Sequence, residues 1–567
     1  MRASYVFFAL FRFLLPPTII SLLYLYLYPA ILGCSFPEAK RAEAACSIPG
    51  QQKAAVLGDK APFRLLALAD PQLEGDTSLP DPNAPLLPSL ERLLEDVNHG
   101  GLNALSDSLV LAATALVQED VPRLVRIYQK KLDLLGNDYY LAHVYRSVSW
   151  WTQPTHVVVL GDLLGSQWIG AEEFKRRSDR FWNRVFRGAK KVPDSITHHS
   201  TLGEALGEDD TWKTRIIAVA GNHDIGYAGD INAARIERFE QTYGPVNWET
   251  SFGTPNPDGE TIGAGLGQAY DQHPELRLVV LNSMNLDSPA WDQDHQKRSL
   301  DFLHDHVLHP SLAPTGRSTT VLLTHIPLHK PAGVCVDSPY FSYYPAHYGG
   351  GVREQNHLSK EISEQILDGL LGADANGSSE FAGQAIILNG HDHEGCDTYH
   401  YQYHSRACMS ICARERSEPA KSECEADCGV WPWESEKYRF ARPLINDPGT
   451  KGFREITVRS MMGSYGGNAG LLSAWFDYDL GEWNFEYTTC VLGVQHIWWA
   501  IHVLALVECL LGLGAVGAWV VEGLLDEYWA VKMARAPEEV REAYARECAE
   551  GRVKESLIKS SGKQKTQ

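Results

Sequence analysis

Positive charge is what this chain has too little of. Against 71 Asp and Glu stand only 51 Lys and Arg, a formal net charge of −20. A surface of that sign repels phosphate backbones and argues against nucleic acid as a partner. The deficit belongs to the body, because after Leu525 nine Lys/Arg face eight Asp/Glu. Internal repeats and long low-complexity segments are also missing, which excludes a repeat architecture. What is there is ordinary globular composition: 567 residues, 44% hydrophobic and 22% charged. That is enough for a large core or several domains.

Two runs lack charge almost entirely. Phe13 to Leu32, FLLPPTIISLLYLYLYPAIL, has none and is long enough to cross a ~30 Å hydrocarbon core. A cleaved signal peptide is the competing reading. Ile497 to Val521, IWWAIHVLALVECLLGLGAVGAWVV, opens on paired Trp, as interfacial belts do. Its polar exceptions are His502 and Glu508, and a buried amphipathic helix is the alternative to a span. A span would turn Glu508 toward another helix and away from lipid. Arg2 and Arg12 precede the first run, and Lys532, Arg535, Arg541 and Arg546 follow the second. Both ends therefore read as cytosolic. The resulting division is an N-terminal tip and anchor over 1–34, a lumenal domain over 35–490, a second span over 491–525 and a cytosolic tail over 526–567.

From Cys34 to Cys490 the chain holds nine of its 11 cysteines, as suits an oxidising compartment. A glycosylation sequon at Asn376-Gly377-Ser378 is compatible with that placement. A cysteine-rich insert is assigned to 396–428. In it Cys408 and Cys412, and Cys424 and Cys428, have i, i+4 spacing, which puts each pair on one helix face. A helical hairpin stapled by Cys408–Cys428 and Cys412–Cys424 is expected, with a zinc site as the rival.

Six short apolar runs end on polar residues. FRLLALAD ends at Asp70, THVVVLGD at Asp162 and RIIAVAGNHD at Asn222, His223 and Asp224. RLVVLNS ends at Asn282, TTVLLTH at His325 and AIILNGHDH at His391 and His393. Continuous apolar runs of this length predict strands buried on both faces. Ligands of open α/β sheets sit beyond the carboxyl ends of strands, so the six tips are expected to face one crevice. Carboxylate, amide oxygen and imidazole together suit Mn, Fe or Zn. A buried Asp/His cluster is costly without cations.

The order D-x-x, G-D, G-N-H-D, H, G-H-x-H resembles the calcineurin-like metallophosphoesterases. Within them the chain resembles the endoplasmic reticulum membrane enzymes that trim ethanolamine phosphate from GPI-anchor glycans. LADPQ, GNDYYL, NGHDHEGC and EITVRSMMGSYGGNAGLL suggest the fungal-type branch. The resemblance implies an α/β fold, a two-sheet αββα sandwich flanked by two transmembrane helices. It implies two divalent cations, Mn foremost with Fe or Zn as alternatives. One would be held by Asp70, Asp162 and His393, the other by Asp162, Asn222, His325 and His391, with Asp162 bridging. His223 would protonate the leaving group and Asp224 would orient and charge its imidazole. The chain departs from the family at Gln72, where most members have His. Gln72 is either a weak ligand or a hydrogen-bond partner of a metal water. It departs again at Gly165, where many members have Asp.

The function implied is removal of ethanolamine phosphate from a GPI mannose in the lumen, with the GPI-anchored protein glycolipid as partner. The alternatives are a lumenal phosphodiesterase or phosphatase on another substrate, or a weakly catalytic GPI-glycan-binding sorting factor. The ending KQKTQ places Lys563 and Lys565 as in dilysine retrieval signals. It reads either as a basic tail or as a signal for coat machinery that returns proteins to the endoplasmic reticulum membrane.

Roughly ninety residues separate the first two tips, long for such a connection. Leu86–Val97 and Asp120–Leu135 read as helices. GNDYYL, Gly136–Leu141, reads as a packing or a substrate segment. Pro331–Val352 is expected to be a loop near the site. EITVRSMMG, LLSAWFDYDL and WNFEYTTCVLG read as strands of a second sheet. Arg459 is either a contact for a phosphate oxygen or a solvated surface arginine.

Overall fold

The computed structural model describes residues 2–39, 59–75, 85–100, 105–198, 204–254, 274–308, 317–335, 338–372, 383–403, 432–447, 449–542 and 544–546. The sequon at Asn376, the insert cysteines Cys408, Cys412, Cys424 and Cys428, and the tail lysines Lys563 and Lys565 lie outside them. The chain forms two units, Leu27–Ile497, and Met1–Tyr26 with Trp498–Gln567.

The larger unit is built on β1 (Phe63–Leu68), β2 (His156–Leu160), β3 (Arg215–Val219), β4 (Trp248–Gly253), β5 (Glu275–Val280), β6 (Ser318–Leu323), β7 (Gln384–Asn389), β8 (Cys396–Tyr403), β9 (Glu434–Lys437), β10 (Thr450–Thr457), β11 (Asn468–Asp477) and β12 (Glu482–Val491). One sheet has the order β12-β11-β1-β2-β3 with Lys190–Lys191 at its edge. The other has the order β9-β8-β10-β7-β6-β5-β4 with Glu204–Ala205 at its edge. Strands β1, β2 and β3 run parallel to one another, and so do β5, β6, β7 and β10. Side chains from both sheets meet in one core, among them Leu65, Val158 and Val219 against Leu278, Leu323 and Leu388. Helices cover the outer faces: Val121–Thr152 buries Leu141, Val144 and Val148, and Lys360–Leu371 buries Ile366 and Leu367. The αββα sandwich that the resemblance implies is the fold.

Several boundaries differ from the sequence reading. Of the three C-terminal strands, only β10 joins the second sheet. The chain then crosses back, and β11 pairs antiparallel with β1 and with β12. The reason is shape: β11 is buried at every position, so it needs neighbours on both edges, and the open edge of β1 supplies one. The region assigned to the cysteine-rich insert begins instead with β8, antiparallel to β10. Cys396 is bonded to Cys335, and Cys34 to Cys490. The loop expected over Pro331–Val352 carries Phe341–Tyr343, which pairs antiparallel with Val352–Gln355.

The helices read at Leu86–Val97 and Asp120–Leu135 are Pro88–Gly100 and Val121–Thr152. GNDYYL lies inside the second of these. Its Asp138 is fully buried and accepts from Arg180 Nε and Nη2 at 2.8 and 2.6 Å and from Arg184 Nη1 at 2.6 Å. These contacts are packing contacts. Removing one partner of a buried pair strands the other charges, at a cost of about 3–5 kcal/mol. Both arginines are partly exposed, so Asp138→Ala should lower unfolding stability by about 3 kcal/mol, the low end of that range, read from chemical denaturation.

In the smaller unit the helix Ala3–Tyr26 pairs antiparallel with the helix Gln495–Ala534 from Trp498 onward. Arg2 meets Asp526 at 2.8 Å near one end, and the Tyr26 hydroxyl meets His502 Nε2 at 3.0 Å near the other. Both are long and apolar enough to cross a membrane. The first starts well before Phe13 because the apolar run extends back through Tyr5–Leu10, so Arg12 lies inside the helix rather than before it. The second runs past Val521 because EGLLDEYWAVKMA keeps helical composition. Glu508 is 5% exposed, packed away from lipid as an ionisable group in a span must be. Two membrane-length helices and two disulfides make this a membrane protein whose folded domain lies on a lumenal or extracellular side.

Candidate metal centre

The parallel strands deliver their carboxyl ends to one crevice. Asp70 follows β1, Asp162 follows β2, Asn222 follows β3, His325 follows β6, and His391 and His393 follow β7. Donor atoms of Asp70, Asp162 and His325, all buried, lie within 4.8 Å of one another. Asn222 Oδ1 is 3.0 Å from His325 Nε2 and 3.0 Å from His391 Nδ1. His393 Nε2 is 3.1 Å from Gln72 Nε2, which donates to Asp162 Oδ2 at 3.0 Å.

Local backbone makes this convergence possible. Asp70, Gln72, Asp162 and His391 all adopt positive φ, between 40° and 70°. Such conformations cost of order 1–3 kcal/mol each and persist where a site requires them. Gly161 and Gly221 are required by close approach. A Cβ on Gly161 would meet His325 Nδ1 at 2.1 Å, and one on Gly221 would meet Asp162 Oδ1 at 2.3 Å. Beneath the β7 tip, buried Glu455 accepts from Asn389 Nδ2 at 2.6 Å and Leu328 N at 2.8 Å and pairs with Lys330 at 2.7 Å.

The donor set fits divalent cations. His325 Nδ1 is 2.8 Å from the Leu160 carbonyl and His391 Nε2 is 2.8 Å from the Gln355 carbonyl. A carbonyl only accepts, so those nitrogens carry the protons. The opposite nitrogens then aim lone pairs at Asn222 Oδ1, itself an acceptor, and His325 Nε2 also lies 3.4 Å from Asp162 Oδ1. Burial, with His325 alongside, holds His391 down to about 3, and burial holds His325 below its ordinary value. Neither ring supplies a second proton. Asp70 Oδ2 is buried without a hydrogen-bond partner among the described residues. Burial, with Asp162 beside it, pushes Asp70 well above the usual carboxylate range. Lone pairs without donors repel one another, and a cation among them removes the repulsion.

Four other residues are placed differently. The His223 backbone N–H donates to Asp162 Oδ1 at 2.8 Å, and its Nε2 is 3.8 Å from Asp162 Oδ2. Asp224 does not touch that imidazole, contrary to expectation. As the third residue of the short helix Asn222–Ile225, its carboxylate turns back to the helix start and accepts from the N–H of Gly221, Leu163 and Leu164 at 2.9–3.1 Å. It ties the Asp162 loop to the Asn222 loop. His223 Nδ1 is buried without a partner among the described residues, and Gly165 brings no carboxylate to it. Arg459 lies 3.6 Å from Glu394. It does not line the 340 Å³ cavity formed by Asn356, His391, Asp392, His393, Glu394 and Tyr465. Asn282 joins a structural turn with Asn285 and Met284 and stays out of the cluster.

Sequence reasoning missed three supports. Ser283 Oγ accepts from the N–H of His325 and Ile326 at 3.3 and 2.9 Å. The Gln355 carbonyl anchors His391. The Tyr465 ring packs 4.8 Å from the His393 ring. Ser283 left a signal as the residue after the Asn282 tip, and Tyr465 lies within EITVRSMMGSYGGNAGLL; a main-chain carbonyl leaves none.

Known proteins bear on this arrangement. Protein TED1 of Saccharomyces cerevisiae is 30% identical over 429 residues, 67% of this chain and 77% of that protein. An uncharacterized protein of Schizosaccharomyces pombe is 29% identical, with 68% of this chain and 81% of that protein covered. Metallophosphoesterase 1 of Ailuropoda melanoleuca is 24% identical over 52% of this chain and 64% of its own length. No family model matches the chain. The solved structure titled "GAP50 the anchor in the inner membrane complex of Plasmodium" covers 60% of this chain and 68% of its own at 11% identity. Its TM-score of 0.22 is too loose a superposition to bear on the site. The extent of the likeness to the first of these, joined to an Asp/Asp/His group at the tips of a two-sheet sandwich, makes the chain a member of the metallophosphoesterase family.

Proposed function

We propose that this protein is a metal-dependent phosphodiesterase that removes ethanolamine phosphate from a mannose of the GPI-anchor glycan in the endoplasmic reticulum lumen. The observation that carries the hydrolase reading is the convergence of unopposed lone pairs from Asp70 Oδ2, Asn222, His325 and His391 beside the Asp162 carboxylate. The glycolipid assignment rests on the resemblance of LADPQ, GNDYYL and NGHDHEGC to the enzymes of that branch.

Asp70, Asp162 and His393 hold one cation, and Asp162, Asn222, His325 and His391 the other. Manganese is the first choice, and iron or zinc would suit the same ligands. When bound, the pair acidifies a water and neutralises phosphoryl oxygens. His223, with 35% of its side chain exposed, gives a proton to the departing mannose oxygen. Its backbone N–H on Asp162 sets where the ring stands. The experiment is to give the purified full-length protein, with manganese, a GPI intermediate bearing ethanolamine phosphate and, separately, an aryl phosphodiester. Release of ethanolamine phosphate with a free mannose hydroxyl is expected. Cleavage of the aryl diester alone would leave a phosphodiesterase with another substrate, and turnover of neither would favour the sorting-factor reading.

With its amide nitrogen toward Asp162 and His393, Gln72 acts as a donor that orients ligands. Loss of such a partner typically costs about 10–100-fold in metal affinity or activity. Gln72→Ala should therefore lower turnover about tenfold while elemental analysis still finds both cations at saturating metal. Loss of one cation per chain under those conditions would make Gln72 a ligand.

The same reading places the protein in the endoplasmic reticulum, with Lys563 and Lys565 contacted by coat machinery. Lys563→Ser with Lys565→Ser should release it to later compartments, seen by microscopy and by glycan maturation at Asn376. An unchanged distribution would assign retention to another segment.

A further inference from the structure

An open cleft of about 500 Å³ lies at the strand-tip side of the larger unit, and the metal chemistry does not use it. Its walls include Trp168, Trp291, Tyr348, Asp230, Arg235 and Arg353. Trp168 is 63% exposed, Trp291 65% and Tyr348 68%, unusual for rings this large. The two indoles are seated rather than loose. The Arg235 guanidinium stacks 4.6 Å over the Trp168 ring, and Trp291 packs on the Gly349 turn with its backbone N–H on the Ala228 carbonyl at 2.8 Å. Asp230 is fixed by Arg235 Nη1 at 2.9 Å and by the Tyr227 N–H at 2.8 Å.

The cleft is built on the same chain segments that support the metal centre. Asp230 and Arg235 follow the Asn222–His223–Asp224 turn, and Tyr227 between them sets its ring 6.2 Å from the His391 ring. Tyr348 and Arg353 belong to the paired segment whose Gln355 carbonyl holds His391 Nε2.

We infer that this cleft binds the neutral hexose chain of the substrate, stacking pyranose rings on Trp168 and Trp291. This deepens the function proposed above and rests on it for the identity of the sugar. The chemistry selects a sugar. The C–H face of a pyranose is weakly positive and matches the negative face of an indole. Its hydroxyls find a carboxylate and planar guanidinium donors at the rim. An apolar ligand would leave those charges unused. For a simple anion, three exposed rings would serve no purpose, and Asp230 already offsets Arg235. Rigid aromatic faces with a few placed polar groups are the usual composition of a small-molecule site.

The test uses the full-length protein in a detergent without a sugar headgroup, which would otherwise compete. The probe is an α-linked mannose trisaccharide carrying no phosphate, followed by saturation-transfer NMR and by tryptophan fluorescence. Binding is expected, weakened about tenfold or more in Trp291→Ala and in Trp168→Ala, both of which truncate exposed side chains. In parallel, KM for the ethanolamine-phosphate GPI intermediate should rise at least tenfold in these variants relative to KM for the aryl diester. Unchanged melting temperatures would exclude misfolding. Trisaccharide binding that the variants lose, with no cleavage of the GPI intermediate by wild type, supports the cleft and overturns the function reading. Cleavage by wild type, with no trisaccharide binding and no change in relative KM in the variants, overturns the cleft and leaves the function standing.

Discussion

Asp162→Asn should lose bound cation and turnover together. The carboxylate is the hub of the site. Oδ1 accepts from the His223 N–H and faces His325 Nε2 at 3.4 Å, while Oδ2 accepts from Gln72 Nε2 at 3.0 Å. Asparagine keeps the shape and the His223 contact but removes the charge shared by both proposed cations. It also sets an amide N–H against the Gln72 donor, which must then rotate and release His393. Several kcal/mol of electrostatic stabilisation lost at such a position corresponds to about a 10³-fold fall in rate. The measurement is metal stoichiometry by elemental analysis alongside the rate on an aryl phosphodiester. Full metal content with undiminished turnover would remove Asp162 from the ligand set.

His223→Ala should separate what Asp162→Asn couples. The contact that matters to the ligands is the backbone N–H on Asp162 Oδ1, and alanine retains it. Metal content should therefore stay at the wild-type level. Hydrolysis of a substrate with a poor alkoxide leaving group should fall by about 10²–10⁴-fold, the usual worth of general acid catalysis. An aryl diester, whose leaving group needs no proton, should recover much of that loss. Equal losses on both substrates, or loss of metal, would show that the ring positions ligands instead of donating a proton. Asp224 should behave differently from a catalytic partner of His223. It holds three backbone N–H groups, so its removal would disorder two ligand-bearing loops and lower metal affinity.

How much of this was legible depends on how local each determinant is. Fully buried parallel strands announce themselves as short apolar runs, and a ligand at a strand's end stands next to its run in sequence. Asp70, Asp162, Asn222, His325, His391 and His393 are therefore readable as a group from the strand tips, but so is Asn282, which only the fold removes from it. The helix through GNDYYL was less so. Its identity as a packing segment depends on Arg180 and Arg184, some forty residues away, meeting Asp138. The role given to Asp224 failed for a similar reason. Adjacency to His223 suggested a partner, but one helical turn sends the carboxylate back to the main chain.

The strand periodicity, the chemical type and order of the tip residues, the two membrane-length helices and the acidic body are all legible in the chain before it folds. Each is a property of a contiguous segment or of composition, and contiguous segments carry their own periodicity. The return of β11 and β12 to the first sheet, the pairing of Cys396 with Cys335, and the choice of imidazole nitrogens that the Leu160 and Gln355 carbonyls leave facing the cluster come from folding alone. It also brought loops after β2, β3 and β5 together with the Phe341–Gln355 segment to form the aromatic cleft. These depend on contacts between segments far apart in the chain, and on main-chain atoms that every residue shares, so no local pattern records them.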